Sequence, residues 1–187
     1  MQSDDRRRRF SPNPQEGVAP LRPHGQAYAH NDLGVVQQLT GDFPAAAASH
    51  QRALALFSDL GNLLGQAEAH NNLGQLAIRA ANTPQAGTHH AQALAIARDI
   101  SAPLEEARAL EGLGQTHLQD GSHDKGLGLL HQAHTIYQRI GAPAARRVQE
   151  TLQNHRLTST PELQPQTPSS KGHESHVWRT PIDPRDG

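Results

Sequence analysis

Histidine is the residue type in this chain with the greatest capacity for chemistry. The chain has thirteen histidines among its 187 residues, and neutral imidazole is a common metal ligand. His89 and His90 are adjacent, while His131 and His134 are close enough to share one face of a helix. Adjacent side chains on a helix point in different directions, so the geometry argues against one ion held by His89 and His90.

The histidines also recur along the chain. His30 and His70 stand forty residues apart, and so do His50 and His90. Recurrence at a fixed spacing is expected of packing or boundary residues copied together with a structural unit. We therefore predict no metal site and no cofactor, and a surface that responds to pH is the better interpretation of so many imidazoles.

Motifs for catalysis are absent from the sequence. It has no cysteine, no GxSxG nucleophile turn, no HExxH zinc motif and no GxxxxGK[ST] phosphate loop. Glu105 and Glu106 are adjacent near the start of a predicted helix, where carboxylates are explained by the helix dipole. The sequence therefore predicts that the protein is not an enzyme.

Composition and charge argue against several classes of protein. Aromatic residues make up 3% of the chain, the net charge is −1 and the pI is about 6.9. A sheet sandwich normally has more aromatic and β-branched residues, and a nucleic-acid-binding protein normally has a basic excess. No apolar run is long enough to cross a membrane, and no apolar segment follows the basic N-terminus. We expect a helical protein of the cytoplasm that binds neither nucleic acid directly nor membranes.

A forty-residue period organises the middle of the chain. Residues 25–64 begin GQAYAHNDLG, residues 65–104 begin GQAEAHNNLG and residues 105–144 begin EEARALEGLG. The first two units agree at about 16 of 40 positions without a gap, which is far above chance. Because Gly34, Gly74 and Gly114 recur at one helical position despite the cost of glycine in helices, we expect each to admit a neighbouring helix to close contact.

Each unit reads as two helices separated by turn residues. Gly41 and Asp42 break the first helix, Pro44 suits the first turn of the second, and Gly61 is the expected stop of the second. Thr83 is the expected N-cap before Pro84 in the second unit. In the third unit the corresponding breaks are Gly121-Ser122 and Gly141.

The fold class that follows is all-α, a solenoid of three helical hairpins. A further helix at about residues 144–157 is expected to cover the last hairpin, since stacked repeats need terminal caps. Residues 1–24 form a Pro- and Arg-rich leader and residues 158–187 a Pro-, Ser- and Thr-rich tail. Neither end can bury enough apolar area to offset ordering entropy, so we predict both to be disordered.

The units resemble the tetratricopeptide repeat in its forty-residue form. The resemblance rests on Leu33-Gly34, Gly41, Ala46 and Ala53-Leu54, repeated as Leu73-Gly74, Pro84, Ala86 and Ala93-Leu94, and in part as Leu113-Gly114, Gly121 and Ala133. It covers about 130 residues. The units are similar to the C-terminal repeats of actinobacterial regulators with a STAND-type ATPase module. The chain lacks that module's phosphate loop, so it looks like the sensor end of such a regulator, freestanding or detached.

The resemblance implies a concave surface lined by the first helix of each hairpin. Asn31 and Asn71 are repeat-equivalent, and a ladder of such carboxamides can bind the backbone of an extended peptide; mid-helix Asn can equally be solvated or locally bonded. Glu111 interrupts this ladder. The candidate binding residues are Tyr28, Asn31, Val35, Gln38, Glu68, Asn71, Gln75, Ile78, Arg108, Glu111, Gln115 and Leu118.

The sequence therefore predicts a protein- or peptide-binding repeat module. The setting that the resemblance implies is bacterial signalling or transcriptional regulation. The alternative is a structural, self-associating repeat protein without a peptide ligand.

Overall fold

The computed structural model describes residues 22–159, with side chains described as far as residue 155. Within this range the chain forms helices and no strands, so the all-α prediction is confirmed. The helices are α1 (Pro23–Thr40), α2 (Phe43–Asp59), α3 (Leu63–Arg79), α4 (Thr83–Asp99), α5 (Pro103–Gln119), α6 (His123–Arg139) and α7 (Ala144–Ser159).

Consecutive helices pack as three hairpins in a row. The pairs α1–α2, α3–α4 and α5–α6 form the hairpins, while α2 contacts α3 and α4 contacts α5. The first helices also contact one another, α1 with α3 and α3 with α5. The first helices therefore follow one another along one side of a solenoid, and α7 packs on α6 at its end.

Tight turns separate the helices at the expected glycines. Gly41, Gly61, Gly121 and Gly141 all have positive φ angles, between 64° and 87°, a conformation that glycine adopts without steric cost. The equivalent positions in the middle of the array hold Ala81 and Ser101, with φ of 54° and 53°. The turn geometry is thus retained where the glycine is not.

The N-cap of α4 is Asn82, which corrects the prediction of Thr83. The Asn82 Oδ1 atom accepts a hydrogen bond from the backbone N–H of Gln85, and Thr83 is the first helical residue. Asp42 and Asn62 cap α2 and α3 in the same way, accepting from the N–H groups of Ala45 and Gly65. Each of these side chains satisfies a donor that the first helical turn leaves unpaired.

Small residues fill much of the core. Alanines at repeat-equivalent positions are fully buried, so the helices approach closely. They are Ala27, Ala67 and Ala107 in the first helices, and Ala53, Ala93 and Ala133 in the second helices.

The recurrent glycines lie at the crossing within each hairpin. A Cβ atom on Gly34 would lie 2.6 Å from Cε1 of His50, and one on Gly74 would lie 2.6 Å from Nε2 of His90. In the third hairpin a Cβ on Gly114 would lie 2.8 Å from Cγ of Leu130. The expected close contact is confirmed, and the side chain that fills it comes from the second helix of the same hairpin.

The ends of the array differ slightly from their expected bounds. Helix α1 begins at Pro23, two residues inside the predicted leader, because proline suits the first turn of a helix. Helix α7 runs to Ser159. The remaining parts of the leader and tail, residues 1–21 and 160–187, lie outside the described residues. None of the helices in the described range is long and apolar enough to span a bilayer.

Candidate ligand-binding groove

A groove of about 300 Å³ runs along the side formed by the first helices. Its walls come from α1, α3 and α5, and α7 closes one end, while second helices contribute two buried side chains to its floor. We call it the groove; its lining residues are Val35, Gln38, Leu39, Asn71, Asn72, Gln75, His90, Arg108, Glu111, Gly112, Tyr137 and Arg147.

Half of the predicted binding residues line this groove. They are Val35, Gln38, Asn71, Gln75, Arg108 and Glu111. The other six do not line it: Tyr28, Asn31, Glu68, Ile78, Gln115 and Leu118.

The residues outside the groove have other contacts. The Tyr28 ring packs edge-on against Phe57 with 4.9 Å between the ring centroids. Ile78 is buried. Gln115 donates a hydrogen bond to Glu111 at 3.1 Å. Glu68 is half-buried; burial first, and then the nearby carboxylate of Glu105, raise the pKa of Glu68.

The two equivalent asparagines are buried, and their amide oxygens are bonded within the protein. Asn31 Oδ1 lies 2.9 Å from Nδ1 of His50 and accepts a second hydrogen bond, 3.1 Å long, from Asn72. Asn71 Oδ1 lies 3.2 Å from Nδ1 of His90. A peptide-binding ladder uses free amide groups, and these oxygens already have partners; a binding role for Asn31 and Asn71 stays a prediction.

Asn71 also joins the second unit to the third. Its Nδ2 atom donates to the backbone oxygen of Glu105 at 3.1 Å and to the Glu105 carboxylate at 2.8 Å. Arg108 donates to the same carboxylate at 3.0 Å and to Asn72 Oδ1 at 2.7 Å. The amide nitrogen and the oxygen of Asn71 are therefore occupied, and Asn71 is a structural link between the second and third units in the wall of the groove.

A second polar cluster, of Glu111, Tyr137 and Arg147, closes the end of the groove. Glu111 is 6% exposed and accepts a hydrogen bond from the Tyr137 hydroxyl at 3.0 Å. Arg147 of α7 donates to both carboxylate oxygens of Glu111, with 3.0 Å from Nη2 to Oε2. Burial, followed by the negative charge of Glu111, raises the pKa of Tyr137. This cluster fixes α7 against the third hairpin.

The buried histidines are uncharged at neutral pH. Burial, and secondarily the positive charge of Arg108, lower the pKa values of His50 and His90 to about 4. His70 and His89 form a half-buried pair with 3.1 Å between their Nδ1 atoms, and burial lowers the pKa of His70 to about 4. Among residues 22–159, no three His, Cys, Asp or Glu side chains converge on a possible metal position.

Two glutamines in the groove have free carboxamides. The side chains of Gln38 and Gln75 are partly exposed, and within residues 22–159 neither makes a side-chain hydrogen bond to the protein. Val35 and Leu39, beside them on α1, are 39% and 82% exposed. The groove therefore offers amide donors and acceptors next to an aliphatic surface.

The sequence prediction missed six residues that line the groove: Leu39, Asn72, His90, Gly112, Tyr137 and Arg147. Leu39 and Asn72 are on first helices but outside the register chosen for the concave face. Arg147 belongs to α7, for which the repeat has no counterpart. A signal was present for Asn72, since it adjoins Asn71, the repeat-equivalent of Asn31.

Part of the chain matches the model of a known repeat family. Residues 25–99 match the family model described as tetratricopeptide repeat. Repeats of this kind generally mediate protein–protein interactions, and proteins of this fold are generally non-catalytic scaffolds. No curated protein matches the chain.

Among solved structures, the chain is similar to the N-terminal domain of stress-induced protein-1 (STI-1) from C. elegans. The two share 19% sequence identity with a TM-score of 0.53, over 73% of this chain and 99% of that chain. A likeness at this level of identity shows the fold, an all-α solenoid of helical hairpins.

Proposed function

We propose that this protein binds an extended peptide segment of a partner protein in the groove. The observation that carries the proposal is the pair of unbonded carboxamides, Gln38 and Gln75, on successive first helices. An amide side chain offers two donors and an acceptor, which match the C=O and N–H groups of a peptide backbone. The exposed aliphatic groups of Val35 and Leu39 offer an apolar contact beside them.

The charged residues of the groove suit the same kind of ligand. Arg108 and Arg147 are partly exposed, and each is held by a buried carboxylate. A guanidinium has five N–H donors, so donors beyond those bonded to Glu105 and Glu111 can meet peptide carbonyl groups. Because both arginines are paired with carboxylates, the groove does not favour a strongly acidic peptide.

The wider setting is also part of the proposal. The resemblance to the repeats of STAND-type regulators supports a cytoplasmic role in bacterial signalling or transcriptional control. In that role the repeats are the part that binds a partner protein, and they act without direct contact to nucleic acid or membrane.

A binding experiment tests the groove. A peptide ligand is first selected from a display library of unstructured peptides, and its affinity is measured by calorimetry. The double variant Gln38→Ala/Gln75→Ala removes both free amides. Because a neutral hydrogen bond contributes about 0.5–1.5 kcal/mol, the affinity should fall by about 5- to 150-fold.

A matched control separates the groove from the outer surface. Gln92 and Gln132 are exposed amides on the second helices α4 and α6, so Gln92→Ala/Gln132→Ala removes the same groups elsewhere. This variant should bind as the parent does. If both double variants lowered the peptide affinity equally, or if neither lowered it, the selected peptide would not use the groove.

A further inference from the structure

One face of α1 is apolar and has no neighbour in the described part of the chain. Leu33 is 46% exposed and Val36 is 55% exposed. Neither residue lines the groove. They are three positions apart and therefore lie on one side of the helix. We call this surface the α1 outer face.

The repeat shows what such a face normally contacts. The equivalent residues of the second unit are Leu73 and Leu76, which are 5% and 8% exposed. They lie against α2 of the preceding hairpin, around a shared cavity with Phe43 and Ala47. In the first unit the same positions keep their large apolar side chains. The α1 outer face thus has the composition of a packed helix interface.

The opposite end of the array has a different character. Val148 and Leu152 of α7 are buried against the third hairpin. Its outward residues include Arg146 and Glu150, which form a surface ion pair, and the exposed Gln149. A head-to-tail stack of copies would bury these polar groups against Leu33 and Val36, which is costly without partners.

We propose that the α1 outer face binds the same face of a second copy of this chain, giving a closed dimer with two-fold symmetry. Self-complementary contact is what a two-fold interface requires, since one patch is used on both subunits. The only Asp, Glu, Lys or Arg side chain on α1 is Asp32, so two such helices bring few like charges together. The polar surface of α7 prevents the array from continuing as a filament, and the groove stays free for a ligand.

The first test measures mass in solution. The full chain is run on a sizing column with light scattering at tens of micromolar, and the expected mass is that of a dimer. Leu33→Glu/Val36→Glu should raise the dissociation constant by at least about tenfold, because it places buried charges across the two-fold axis. Leu104→Glu is the control, since Leu104 is 48% exposed but lies on α5.

The second test uses the absence of cysteine from the chain. Residues near a two-fold axis meet their own copies, so Leu33→Cys or Val36→Cys should form a disulfide-linked dimer on mild oxidation. Ile140→Cys, at an exposed site far along the chain, should not. This readout does not depend on whether the Glu variant folds.

Each outcome decides the proposal. A dimer that Leu33→Glu/Val36→Glu dissociates, with circular dichroism unchanged, supports it. A parent chain that is monomeric at tens of micromolar overturns it, including the case in which residues 1–21 cover the face. A dimer that tolerates both charges overturns this choice of surface. Peptide binding in the groove is measured separately, so its loss or retention does not affect the conclusion.

Discussion

The Nδ1 atom of His90 lies 3.2 Å from Oδ1 of Asn71, and His50 and Asn31 form the same pair at 2.9 Å one unit earlier. Each imidazole ring crosses the hairpin over a glycine. The Asn71 amide nitrogen donates to Glu105, so its oxygen must accept, and His90 carries its proton on Nδ1. The Nε2 atoms of both rings are then buried lone pairs without a partner among the described residues.

Gly74→Ala should destabilise the protein because the new methyl group would overlap the His90 ring. A Cβ there would lie 2.6 Å from Nε2, and overpacking of a core typically costs about 1–3 kcal/mol. The free energy of unfolding in urea measures the effect. Gly128→Ala on α6 is the control, since nothing lies within 4 Å of its Cβ position. It should stabilise the helix by up to about 1 kcal/mol, and an equal result for both would contradict the packing described.

Ala81→Gly and Ser101→Gly should each stabilise the protein. Both residues have positive φ, which costs a residue with a Cβ about 1–2 kcal/mol, and the entropy cost of glycine offsets only part of this. A gain of up to about 1 kcal/mol in the free energy of unfolding is expected. Ala80→Gly is the matched control: Ala80 has φ of −81°, so the same change should lower stability. A loss at positions 81 and 101 as well would argue against left-handed turns there.

Acid should destabilise the protein between about pH 6.5 and pH 4. The pKa of His90 is about 4 in the folded protein and about 6.5 when unfolded. As the pH falls through this window, the unfolded chain therefore binds protons that the folded chain does not, and the free energy of unfolding decreases. Below pH 4 the contribution of this group levels off. His50 acts in the same direction.

His90→Leu should reduce that acid sensitivity. Leucine occupies the equivalent position 130 and packs against Gly114, so its shape suits the site. The loss of stability between pH 6.5 and pH 4 should shrink by up to about 3 kcal/mol, measured by urea unfolding at several pH values. The variant is also less stable at neutral pH, because Asn71 loses a partner. An unchanged slope would show that His90 is not the group that resists protonation.

Tyr137→Phe should cost about 1.5–3 kcal/mol in the free energy of unfolding. It removes a 3.0 Å hydrogen bond from a buried hydroxyl to the Glu111 carboxylate. The chain has one other tyrosine, Tyr28, which is 38% exposed and bonded to Asn62. Tyr28→Phe should change stability by much less. In an alkaline absorbance titration Tyr137 should ionise only above the usual pH range of a tyrosine, because burial and Glu111 raise its pKa.

The arrangement of helices could be predicted because the sequence repeats it three times. Each break between helices has a glycine or a proline, and each helix crossing has a glycine. These residues indicate turns and close contacts that other residues accommodate only at a higher energetic cost. The cap at Asn82 was equally readable, since Asp42, Asn82 and Ser122 are repeat-equivalent. Thr83 was chosen from local preference alone, which does not distinguish neighbouring capping residues.

The residues that line the candidate groove were harder to predict because helical register does not specify burial. The spacing of Asn31 and Asn71 places them on one side of their helices. Whether that side faces a ligand or a ring from the next helix depends on tertiary packing. His50 and His90 recur nineteen residues after these asparagines, and this recurrence was the available sign that a ring of the next helix contacts them. Arg147 gave none, because α7 has no counterpart within the repeat.

The polar contacts between units differ from one junction to the next, and this constrains how the array can evolve. At the first junction Asn72 is bonded to Asn31, and at the second Asn71 is bonded to Glu105. At the third, between the last hairpin and α7, Arg147 is bonded to Glu111. Copying the middle unit by gene duplication would place glycine, the residue at position 65, where Asn71 now meets Glu105. Recombination that reordered the units would separate Glu111 from Arg147 and leave a buried carboxylate without its cation. The three hairpins are therefore similar in shape but not interchangeable in position.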